Sequence, residues 1–132
     1  MTFDKFTIKA QEAIQEAVNL VQARGQQAIE PEHLLAGILK VGENVTNFLF
    51  QKLGVNSRQI EQVLESQIAS LPKVQGGEPY LSRESNEVLT RAQDYASKGG
   101  DEFVSLEPML LALLTVKSTA SRILKDAGIT ET

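Results

Sequence analysis

The sequence predicts an all-α fold made of two tandem, pseudo-twofold copies of a four-helix unit, the second copy lacking its last helix. Three observations lead there. Apolar residues recur at helical spacing along most of the chain. Glycines stand where those runs stop. The chain also matches itself when shifted by 75 positions, the signature of an internal repeat. That shift lays Phe6-Thr7 on Leu81-Ser82, Ala13-Ile14 on Val88-Leu89, Ala17 on Ala92 and Gly25 on Gly100. It continues with Ile29 on Val104, Glu32 on Glu107, Leu34-Leu35 on Met109-Leu110 and Ile38-Leu39 on Leu113-Leu114. After one deletion, at a shift of 74, Phe50 falls on Leu124, Gly54 on Gly128 and Val55 on Ile129.

The first helix is capped by Thr7, whose hydroxyl can take a free backbone N–H. It carries Ala10, Ala13, Ile14, Ala17, Val18 and Val21 on one stripe and stops at Gly25. The copy opens at Ser82, carries Val88, Leu89, Ala92, Tyr95 and Ala96, and stops at Gly99-Gly100. A second helix opens at Glu30-Pro31, where proline is tolerated in the first turn. Its pairs Leu34-Leu35 and Ile38-Leu39 mark a deeply buried element. The copy opens at Ser105, with Glu107 and Pro108 in its first turn. A third helix covers 45–53 and ends at Gly54; its copy covers 118–127 and ends at Gly128. The fourth starts at Asn56, with Gln59 placed for a capping box, and carries Ile60, Val63, Leu64, Ile68 and Leu71 until Pro72. No segment of useful length has strand periodicity. The units span about 4–72 and 81–132, joined by a Gly/Pro linker at 73–80. Because no counterpart of the fourth helix follows Ile129, the simplest reading is a piece of a longer chain.

Composition narrows the function. A 132-residue chain with 42% hydrophobic and 23% charged residues fits one globular domain. It has no cysteine and a single histidine, His33, so thiolate and His-cluster metal sites are excluded. A net charge of −4, with the basic residues scattered, disfavours phosphate neutralisation and hence nucleic-acid binding. No signal peptide or membrane span is expected, and a cytoplasmic setting is the plain reading.

Catalytic motifs are missing too. There is no phosphate loop, no nucleophile elbow and no Ser–His or Cys–His pairing, so the chain reads as non-enzymatic. His33, in the first turn of the second helix, is expected to be structural. Glu30, Glu32 and Glu107 are expected to complement helix N-termini, and no calcium-loop spacing surrounds them or Asp101 and Glu102. What remains is interaction, with Tyr80, Tyr95 and Phe103 as aromatic candidates near connectors.

Several stretches resemble the Clp N-terminal repeat domain. They are Phe6-Thr7 with Ala10, the run from Ile29 to Leu35 opening the second helix, and Leu53-Gly54-Val55. The linker from Leu71 to Gly76 and the stretch from Gly100 to Ser105 are most similar to the ClpB disaggregase branch. The resemblance covers essentially the whole chain. It implies a monomeric accessory domain tethered ahead of two ATPase modules in a hexameric ring. ATP and magnesium would belong to those modules and no cofactor to this domain. The implied partners are unfolded or aggregated polypeptides, together with co-chaperones or adaptors, and neither nucleic acid nor membrane. The family's client-contacting positions fall here on Thr7, Asp101 and Glu107. Its nearby apolar groove falls on Arg91, Tyr95 and Pro108, where Arg91 departs from the apolar pattern. The alternative reading is an adaptor-docking domain of the ClpA/ClpC kind.

Overall fold

The computed structural model describes residues 3–74 and 77–129. The linker positions Gln75 and Gly76 and the end of the expected second unit, 130–132, lie outside the described residues. The helices are α1 (Ile8–Ala23), α2 (Pro31–Val41), α3 (Glu43–Leu53), α4 (Ser57–Ala69), α5 (Arg83–Lys98), α6 (Leu106–Thr115) and α7 (Thr119–Asp126). Two short strands join them, β1 (Ala28–Ile29) after α1 and β2 (Tyr80–Leu81) before α5.

The repeat is visible atom by atom. Thr7 Oγ1 accepts the N–H of Ala10 at 3.1 Å, and its equivalent Ser82 Oγ accepts the N–H of Ser85 at 3.1 Å. Both helices end alike: Gln26 N–H donates to Val21 O, and Asp101 N–H donates to Ala96 O. The glycine before each donor has positive φ, 67° at Gly25 and 84° at Gly100, a conformation that glycine adopts without Cβ strain.

The strands are the one regular feature that the sequence pattern does not announce. Each is only two residues long, too short for a period-2 signal. Ile29 pairs in parallel with Leu81, and Phe6 pairs in parallel with Val104. The 75-residue shift turns the first pair into the second. Each unit's lead-in to its first helix therefore pairs with the other unit's exit from that helix, and two seams stitch the units together.

The core is one continuous cluster with α2 and α6 at its centre. Leu34, Leu35, Ile38, Met109 and Leu113 are fully buried, each contributing about 1.5–3 kcal/mol relative to exposure. Small residues on α1 let α2 approach closely. A Cβ added at Gly37 would lie 2.2 Å from the carbonyl oxygen of Ala13.

Local expectations need adjusting at three places. Helix α3 begins at Glu43, two residues before the apolar run. Helix α4 stops at Ala69, because Ser70 and Leu71 donate to carbonyls three residues back and tighten the last turn. Asn56 takes the N–H groups of Arg58 and Gln59 on its side-chain oxygen, an N-cap without the reciprocal Gln59 bond. A reciprocal box occurs instead at Ser118 and Ser121.

Candidate functional site

At the Phe6–Val104 seam the chain brings together two sequence-distant connectors. Thr7 N–H donates to Val104 O at 2.9 Å, and Val104 N–H donates to Lys5 O at 2.7 Å. Beside the seam lies a cleft of about 330 Å³, bordered by Lys5, Gln93, Asp94, Ser97, Asp101 and Glu102. Three carboxylates and one ammonium give it an acidic character. Two apolar side chains flank the same seam in sequence. Ile8, one residue past Thr7, is 78% exposed, and Phe103, one residue before Val104, is 47% exposed.

The second seam has the same backbone and different side chains. The equivalents of Lys5, Asp94, Asp101 and Glu102 are Tyr80, Asn19, Gln26 and Gln27. Those of Ile8 and Phe103 are Arg83 and Ala28. Acid and exposed aliphatic surface are thus concentrated at one of two symmetry-related places.

The client-contacting and groove positions implied by the resemblance, Thr7, Asp101, Glu107, Tyr95 and Pro108, with Arg91, fall at three places. Thr7 and Asp101 belong to the acidic seam. Thr7 is half-buried with its hydroxyl oxygen occupied as a cap, while Asp101 is exposed. Tyr95 is half-buried, its phenol oxygen 2.9 Å from Thr115 Oγ1 at the far end of α6. Arg91 reaches the same residue's carbonyl oxygen at 3.4 Å. Glu107 and Pro108 sit in the first turn of α6, about 12 Å along that helix from Thr115 at 1.5 Å per residue. Ile8 was not singled out by sequence, because it stands next to a helix start and belongs to no stripe. Its exposure is what identifies it.

Glu107 also stands on the rim of a second feature, an apolar groove of about 400 Å³ between α3, α6 and α7. Leu49, Leu53, Leu110, Leu111 and Leu114 line it, with Lys52 and Glu107 as its charged residues.

His33 lies far from any such surface. It is fully buried, and Nδ1 accepts the N–H of Glu30 at 2.9 Å. That acceptor role leaves the proton on Nε2, which donates to Gln26 Oε1 at 2.8 Å. Gln26 Nε2 in turn donates to Ile68 O at 2.8 Å, tying α2, the α1–β1 connector and the end of α4 together. Burial, reinforced by the Arg24 guanidinium, lowers the His33 pKa to about 4. Glu32 is buried as well. Desolvation pushes its pKa up, opposed by its own backbone N–H and reinforced by Glu30 and Glu84. Among the described residues no group of three or more His, Cys, Asp or Glu side chains is placed to hold a metal ion. No helix among them is long and apolar enough to cross a membrane.

Comparison with known proteins adds the lineage. Residues 5–127 match the model of the Clp repeat (R) N-terminal domain. The chain is 72% identical over 131 residues to the chaperone protein ClpB of Bacteroides thetaiotaomicron, covering 99% of this chain and 15% of that protein. The fold is similar to the Hsp104 N-terminal domain from Candida albicans, with TM-score 0.85 and 23% identity over 96% of this chain and 83% of that one. It is also similar to a ClpV N-domain solved in complex with a VipB peptide, with TM-score 0.76 and 19% identity over 96% of this chain and 81% of that one.

Proposed function

The chain belongs to the Clp repeat N-terminal domain family, and from that premise we propose that it is a client-handling domain. Its task is weak, reversible contact with unfolded or aggregated polypeptide. It spans about 15% of the length of the ClpB relative described above. In this reading it acts beside ATPase modules of a longer, hexameric chain, which bind ATP and magnesium and do the mechanical work.

The observation that carries the reading is the broken symmetry of the seams. Both seams carry a parallel backbone pair at equivalent positions, Ile29 with Leu81 and Phe6 with Val104. Folding does not require Ile8, Phe103, Asp94, Asp101 and Glu102 to gather at one of them. Exposed aliphatic and aromatic groups beside carboxylates suit an extended polypeptide with apolar and basic residues, held without a rigid pocket. Tethering close to a pore would raise effective concentration, so low affinity suffices. The peptide complex of the ClpV N-domain supports the idea that this fold can present a polypeptide-binding surface.

The test is fluorescence anisotropy of a labelled, permanently unfolded polypeptide titrated with the domain. Ile8→Ser combined with Phe103→Ser removes two exposed apolar side chains, at about 1 kcal/mol each, and should weaken binding about tenfold or more. Tyr80→Ser, the control at the other seam, should leave it unchanged. Equal binding by the double variant and the parent chain would refute the reading. If unfolded polypeptide is ignored while a folded partner binds stoichiometrically, the domain docks adaptors instead.

A further inference from the structure

We propose that the cleft between α4 and α7, with the cationic face of α7 beside it, is a docking surface for an acidic polypeptide segment. It is a second surface, separate from the acidic seam. The cleft measures about 200 Å³, with Gln59, Val63 and Gln67 of α4 on one wall and Arg122 and Asp126 of α7 on the other. Ile60 and Ile123, both buried, contribute to its lining. Arg122 and Asp126 also border an adjoining, more open depression of about 420 Å³, together with Lys117 and Lys125.

Apolar and cationic groups are both presented here. Val63 stands on the apolar stripe of α4 and is 42% exposed at this cleft. Lys117, Arg122 and Lys125 are all exposed, and none of them forms an ion pair among the described residues. Arg24, Lys40 and Arg91 do, with Glu65, Glu16 and Glu87. Part of the Arg122 charge is used inside the fold, where it favours the ionised form of buried Glu32. On a chain of net charge −4, the two lysines beside it still make a local excess of positive charge.

The helix itself does not demand these cations. On α3, the equivalents of Arg122 and Lys125 are Phe48 and Gln51, and the helix forms there without them. The acids of α4 stand on its other flank, where Glu61 and Glu65 border a cleft toward α2. On the α7 side, the α4 residues lining the cleft are uncharged.

Charge complementarity selects the occupant. Arg122 and Lys125 are neighbours on one helix face and can hold carboxylates of an acidic segment. An apolar side chain of that segment would cover Val63, and the amides of Gln59 and Gln67 can bond its backbone. Nucleic acid fits less well, because three cations beside Asp126 neutralise few phosphates.

The test is an NMR titration of the isotope-labelled domain with a synthetic peptide of repeated Glu-Leu-Glu units. Shift changes should gather at Val63, Gln67, Arg122 and Lys125 and spare Ile8 and the stretch from Asp101 to Val104. Added salt should weaken binding, as should Gln in place of Glu throughout the peptide. Arg122→Gln combined with Lys125→Gln should weaken it about fivefold. Lys9→Gln combined with Lys73→Gln removes the same charge elsewhere and should not. All four positions are exposed, so the substitutions leave the core untouched. Val63→Ser, with every charge kept, should weaken binding as well. No shifts at the α4–α7 cleft, or equal binding by the Arg122→Gln, Lys125→Gln variant, would overturn the proposal. Tighter binding of a single-stranded oligonucleotide at the same residues would overturn it in favour of nucleic acid. Concentration-dependent shifts at both this cleft and the acidic seam, without peptide, would overturn it in favour of a second copy.

Discussion

The imidazole of His33 donates from Nε2 to the side-chain oxygen of Gln26 at 2.8 Å, inside the core and out of reach of water. This bond has no counterpart in the second unit, where Pro108 and Asp101 occupy the equivalent positions. The first unit thus carries a buried imidazole–amide bond that the residues at the equivalent positions of the second unit cannot form.

That buried imidazole makes stability pH-dependent. The folded pKa of about 4 lies below the unfolded value of 6.5, so the unfolded chain takes up the proton first as pH falls. The contribution of neutral His33 is complete above 6.5 and is lost progressively down to about 4, amounting to about 3 kcal/mol. Glu32 acts with the opposite sign. Its raised pKa costs stability at neutral pH, and protonation relieves that cost as pH falls toward 4.5. Urea unfolding of the parent chain and of His33→Gln between pH 7 and 4.5 separates the two. The parent should lose more stability than the variant, and equal losses would mean that His33 is not held neutral.

Gly37 should not tolerate a methyl group. In an open helix Gly→Ala gains about 1 kcal/mol. Here the new Cβ would sit 2.2 Å from Ala13 O, a backbone atom that cannot rotate aside. Overpacking wins, and Gly37→Ala should destabilise by about 3 kcal/mol in thermal or urea unfolding. A neutral or stabilising result would mean that α1 and α2 cross less closely.

Helix positions were legible because stripes and glycine stops are local signals. Of the α1 stripe, Ala10, Ala13, Ile14, Ala17 and Val21 are buried together, while Val18 is half-buried against the same core. Val63 lies on the α4 stripe and yet is 42% exposed, since it borders a surface cleft shared with α7 rather than the core. The seams were not legible: pairing Ile29 with Leu81 is a contact over 50 residues with two residues of strand on each side. At the candidate site the acids were visible as residues. Their gathering at one seam, with Ile8 beside them, depended on that same long-range pairing.

Ser85 offers a test of the seam itself. Its hydroxyl donates to Ile29 O at 2.6 Å, while Ser82 N–H donates to the same oxygen at 3.1 Å. Ser85→Ala leaves that carbonyl with one partner, so the loss should be modest, about 1 kcal/mol. The equivalent position at the acidic seam is already alanine, Ala10. A loss well above that figure, by chemical denaturation, would show that the hydroxyl bond and not the backbone pairing holds the seam.

Tyr95 separates packing from client contact. Tyr95→Phe removes the bond to Thr115 Oγ1 and should cost about 1 kcal/mol of stability. Because Tyr95 is half-buried and points to the far end of α6, client binding by anisotropy should change less than twofold. A large loss of binding with unchanged stability would move Tyr95 into the contact surface.

The most direct test is an NMR titration of the isotope-labelled domain with a permanently unfolded protein at millimolar concentration. Shift changes should gather at Thr7, Ile8 and the stretch from Asp101 to Val104, and leave Tyr80 and Leu81 at the other seam unmoved. No perturbation, or equal perturbation at both seams, would contradict a client surface at the acidic seam.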